Sequence, residues 1–63
     1  MRAPFSQLRQ RAYELADTGQ FESWLAVAAH MEAEGYDKAS SRLRADPILL
    51  RLLDARCKQA RET

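Results

Sequence analysis

The chain has 63 residues, a formal net charge of +1 at pH 7, 46% apolar and 30% charged side chains, and one cysteine. That length makes one domain, spanning 1–63, with a small core, and the apolar–charged balance excludes a disordered tail. A single cysteine excludes an internal disulfide. The N-terminus lacks an apolar leader and the longest apolar run is 24–29, so secretion and membrane spanning are not expected and a reducing cytoplasm is.

Eleven alanines against two glycines and two prolines point to helices with few breaks. Pro4 suits the first turn of a helix, where its missing N–H costs nothing, with Ser6 or Ala3 as alternative starts. Phe5, Leu8, Ala12, Leu15 and Ala16 then share one face, opposite Ser6, Gln7, Gln10, Glu14 and Asp17. Gly19 offers a left-handed stop, so the spacing predicts a helix over 5–17. Tyr13 falls outside this stripe and is expected to cover the bundle edge.

A second helix is predicted over 20–34, capped by Thr18 or Gly19 and ended by Gly35. Phe21, Trp24, Leu25, Ala28 and Met31 share one face, with Val27 at its edge. So wide a stripe, holding the only tryptophan, suits the central helix of a bundle with Trp24 as its anchor. The connection to the first helix is short, which predicts an antiparallel or steeply crossed pair.

Gly35-Tyr36-Asp37 reads as a turn, with Asp37 as N-cap of a two-turn helix over 38–44 and Tyr36 packed beneath it. Ala39 and Leu43 are its apolar contacts. A helix this short is held only by docking. Asp46-Pro47 is the clearest local signal, an N-cap followed by proline at the first helical position, and it opens a helix over 47–61. Leu49, Leu50, Leu53, Cys57 and Ala60 form its main apolar face, and Arg51, Asp54, Lys58 and Arg61 line the opposite side. Ile48, Leu52 and Ala55 add a second apolar strip, to be covered by the first helix or by a second copy of the chain. The expected fold class is all-α, a small bundle of four helices.

Catalytic chemistry finds little support. His30 is the sole histidine, and Ser23 lies two helical turns from it, about 10 Å along the axis and beyond hydrogen-bond reach. Glu34 is one turn after His30 and makes an ordinary surface pair. Glu32 and Glu34 point to different sides of the helix. One His and one Cys fall short of the four ligands of a structural zinc site, and there is no phosphate-binding glycine loop. Cys57, on an apolar face, reads as a buried inert thiol. The expectation is a protein that is not an enzyme and uses no cofactor and no metal.

Charge is unevenly distributed. Residues 1–35 carry three basic against five acidic side chains, whereas 36–63 carry seven basic against four acidic. A helix-turn-helix reading draws on Arg42 and Arg44 after a glycine turn, with Arg51, Lys58 and Arg61 toward phosphates. The register does not fit: aligning Gly35 with the turn puts His30, Glu34 and Ser41 at apolar positions, and Asp54 interrupts the basic face.

Glu34-Gly35-Tyr36 followed by Leu43 is similar to the Met-Gly-Phe loop and second helix of ubiquitin-associated domains. Glu34 replaces the methionine, which removes much of the apolar loop surface that grips ubiquitin, so that function is not carried over. The helix over 21–31, the Glu34-Gly35-Tyr36 turn and the closing Asp46-Pro47, Arg51, Leu53, Cys57 helix together resemble short proteobacterial helical proteins, over about two-thirds of the chain. Eight arginines to two lysines, with abundant alanine, also suit a GC-rich bacterial genome. That resemblance implies a helical fold and no activity. The functional expectation is a small cytoplasmic protein-interaction module, an adaptor or homo-oligomer working through Ile48, Leu52 and Ala55, with a nucleic-acid-binding regulator as the alternative.

Overall fold

Four helices joined by long-range polar ties make up the computed structural model, which describes residues 4–62. They are α1 (Phe5–Ala16), α2 (Trp24–Ala33), α3 (Ala39–Arg44) and α4 (Pro47–Glu62), with no strand among the described residues. The all-α bundle expected from the periodicity is the fold observed. Ala3, one alternative start of the first helix, lies outside the described residues.

α1 starts where Pro4, in extended backbone, offers its carbonyl to the amides of Gln7 and Leu8. It ends as Thr18 donates its hydroxyl to the Leu15 carbonyl at 2.6 Å and accepts the Gln20 N–H at 3.2 Å. Gly19 follows with φ +76°, and a Cβ there would lie 3.0 Å from the Ala60 carbonyl oxygen. This glycine therefore serves both a left-handed turn and a close approach to α4.

α2 corrects the expected boundary. It begins at Trp24 rather than Gln20, with Ser23 as its N-cap in place of Thr18 or Gly19. The reason lies elsewhere in the chain: the Trp24 amide donates to the Asp54 carboxylate at 2.8 Å, so α4 supplies the anion that a helix start attracts. Arg61 donates to the carbonyls of Phe21 and Glu22 and holds the connecting segment extended. With Phe21 outside the helix, the inner face recentres on Val27, Ala28 and Met31, all fully buried. Leu25, expected on that face, is 51% exposed. Trp24 is half-buried at the edge of the core rather than its anchor. The fully buried large side chains are Leu8, Val27, Met31, Leu43, Leu53 and Cys57.

α3 is a second correction. Its N-cap is Lys38, in left-handed backbone at φ +55°, not Asp37. The capping charge comes from α2, where the Glu32 carboxylate accepts the Ser40 N–H at 3.1 Å and its hydroxyl at 2.8 Å. Those bonds hold the Glu32 carboxyl below its ordinary range. Ala39 and Leu43 are buried and Tyr36 packs against the core, as the spacing requires. At α4 the local signal holds: Asp46 Oδ1 accepts the Leu49 N–H at 3.1 Å. Leu49, Leu53 and Cys57 are buried, and Leu50 packs partly against them.

The cross-contacts fix the helix directions. Tyr13 meets Arg56 and Gly19 meets Ala60, so α1 and α4 run the same way. Glu22, in the link, meets Arg61 and Trp24, the first residue of α2, meets Asp54, so the link into α2 runs against α4. α3 folds back along α2, with Ser40 at Glu32 and Arg44 over the Trp24 ring.

Candidate interaction surface

The face of α4 turned away from the bundle follows from these directions. At about 100° per residue, Arg56 lies on one flank and Asp54 and Arg61 on the other, each tied to a neighbouring helix or link. Arg56 reaches Asp17 at 3.0 Å and stacks 4.2 Å over the Tyr13 ring. Between these flanks, on the side away from the core, run Ile48, Leu52 and Ala55. All three are exposed, Ile48 at 72% and Leu52 at 48%. Helix α1 does not lie across them. Large apolar side chains left in water at this spacing are the most conspicuous surface feature of the chain.

The five basic residues of the alternative reading are dispersed. Arg42 is half-buried on α3, and Arg44 stacks on Trp24 at 5.7 Å. Arg61 is committed to two backbone carbonyls. Arg51 and Lys58 are exposed on one flank of the strip. The structure thus brings Ile48, Leu52 and Ala55 together on one face and does not bring the five cations together on one.

A polar cluster links α1 to the end of α2. Arg11 presents Nε, at 3.0 Å, and Nη2 to the two carboxylate oxygens of Glu34, and Nη1 to Glu14. His30 Nε2 lies 3.4 Å from the same Glu34 carboxylate, and its ring packs edge-on to Phe21 with centroids 5.3 Å apart. The Arg11 guanidinium holds the Glu34 carboxyl below its ordinary range, and the carboxylates of Glu34 and Glu14 raise Arg11 further. Every group here is spoken for by another, so the cluster works as a clasp between helices. The spacing exposed the His30–Glu34 pair; the Arg11 arm, twenty-three residues away, has no local signal.

No other chemistry is assembled. Burial raises the Cys57 thiol above its ordinary value, which suits an unreactive core side chain. Among the described residues there is no group of three His, Cys, Asp or Glu that could hold a metal ion. A shallow open groove of about 280 Å³ is lined by Asp17, Arg56, Gln59 and Ala60, where the paired Asp17 and Arg56 face each other rather than a ligand. No described helix is long and apolar enough to cross a membrane.

Sequence reasoning missed one exposed apolar face. Leu25, with exposed Ala29 and Ala33 below it, lines the outer side of α2. It lies away from the buried side of α2, which centres on Val27, Ala28 and Met31. Compared with known proteins, the chain matches no family model, no curated protein and no solved structure, so the surface has to be read from its own chemistry.

Proposed function

We propose that this chain is a small helical protein-interaction module whose contact surface is the outer strip of α4, and that its first partner is another copy of itself. The observation that carries this reading is the exposure of Ile48 and Leu52 on the face of α4 opposite the core. Covering what these side chains still expose returns about 0.7–2 kcal/mol each, a sizeable fraction of what a domain of this size has. Binding through nucleic-acid phosphates is less well supported, because Arg44 and Arg61 are engaged inside the molecule.

Sedimentation of the wild type and Leu52→Glu across a micromolar concentration series tests the proposal. A wild type that associates and a folded Leu52→Glu that stays monomeric support it. A wild type monomeric throughout, co-purifying with nucleic acid that high salt removes, points to the basic half of the chain.

A further inference from the structure

Among the described residues Phe5, Leu25, Ile48 and Leu52 are the exposed large apolar side chains, and all but Leu25 stand on two helix rows that meet. Phe5, Arg9 and Tyr13 follow one another at four-residue steps on α1, and Ile48, Leu52 and Arg56 do the same on α4. The rows join at one end, where Arg56 stacks 4.2 Å over the Tyr13 ring and reaches Asp17 at 3.0 Å. α1 and α4 run the same way. Equal steps back from that junction, about 12 Å along each helix, bring Phe5 level with Ile48. The outer seam between α1 and α4 is thus closed by polar contacts at its Tyr13 end and apolar at its Phe5 end. Phe5 is 37% exposed and stands outside the core cluster.

Resting on the proposed self-association and enlarging its surface, we infer that the second copy docks across the α1–α4 seam, on Phe5 together with Ile48 and Leu52, in a two-fold contact. Area favours the seam over the α4 strip alone. A stable pair of chains covers about 800 Å² per partner, far more than three side chains of one helix expose. A second helix alongside, with its axis about 8–10 Å away, doubles the width of the face. It also adds an aromatic side chain, a type enriched where chains meet. The two-fold sets the same patch on both copies, with Phe5, Ile48 and Leu52 at its centre and Arg9 and the Arg56–Asp17 pair toward its rim. Charge does not drive such a contact, so it should hold as salt is raised.

Sedimentation of three single variants tests the seam. Phe5→Glu and Leu52→Glu should each weaken association at least tenfold. Leu25→Glu, which changes the exposed leucine of α2, should associate like the wild type. A glutamate at position 5 suits the first turn of a helix, so Phe5→Glu should keep the wild-type circular dichroism. If it does not, Phe5→Ala takes its place and is read the same way. If Leu52→Glu is monomeric while the position-5 variant associates at wild-type strength, the α4 strip alone makes the contact; the seam then falls and the proposed function stands. Loss of association in folded Leu25→Glu, or a wild-type pair that dissolves as salt is raised, also overturns the seam contact. A wild type monomeric throughout overturns both and leaves the seam to a different protein.

Discussion

α4 carries leucine on two faces, and the molecule treats them in opposite ways. Leu53, with Leu49 and Cys57, is sealed against α1, α2 and α3, while Leu52, its neighbour in sequence, stands nearly half in water beside Ile48. Periodicity does not separate the stripes: both repeat at helical spacing. The inward stripe carries the bulkier set, Leu49, Leu53 and Cys57, and the flanking ties, Arg56 to Asp17 on one side and Asp54 to Trp24 on the other, fit only that orientation of the helix. The outer face is then surplus to the fold, and available for contact.

The sharpest way to break this contrast is Leu53→Ala. Removing a fully buried leucine costs about 2–5 kcal/mol, comparable with the whole stability of so small a domain, so far-ultraviolet circular dichroism at room temperature should show a largely unfolded chain. Gly19→Ala comes next. Its Cβ presses on the Ala60 carbonyl of α4 and its backbone sits at positive φ, so a loss of about 1–2 kcal/mol is expected in urea unfolding. Asp46→Ala removes the cap on which both stripes of α4 depend and should cost about 1 kcal/mol by the same measurement.

Acid acts on neither stripe but on the clasps around them. The carboxyls of Glu34 and Glu32 lie below their ordinary value of 4.5 in the folded chain, so folding favours their ionised forms. Their contribution is present above that value and is lost as pH falls through and below it. The melting temperature should decline there, and Glu34→Gln should flatten the decline. At the small end, Ile48→Ala should leave monomer stability within about 0.5 kcal/mol, because its side chain is mostly in water already. A loss like that of Leu53→Ala would erase the distinction between the stripes.

Much of the fold was legible because its signals are local. Gly19 and Gly35 stop helices through their own left-handed backbone, and Asp46-Pro47 starts one through its own cap. The start of α2 was not legible, since the carboxylate that receives the Trp24 amide belongs to Asp54, thirty residues on. The same applies to α3: the expected cap at Asp37 gave way to Glu32, reaching across from α2. Of the candidate surface, the α4 strip was visible as more apolar area than one small helix needs. The outer face of α2 was hidden, because with Phe21 outside the helix the buried side centres on Val27, Ala28 and Met31 and leaves Leu25 half in water.

Cys57 turns the inner stripe into a clock. Its thiol is fully buried and its ionisation is held back, whereas alkylating reagents require an accessible thiolate. Modification must therefore wait for α4 to lift from its neighbours, and the rate of labelling becomes the opening equilibrium multiplied by the known reactivity of a free thiol. With one cysteine in the chain, all of the labelling reports on this one site. Any partner that settles on the outer face and favours the closed form will slow that clock without ever touching the sulfur.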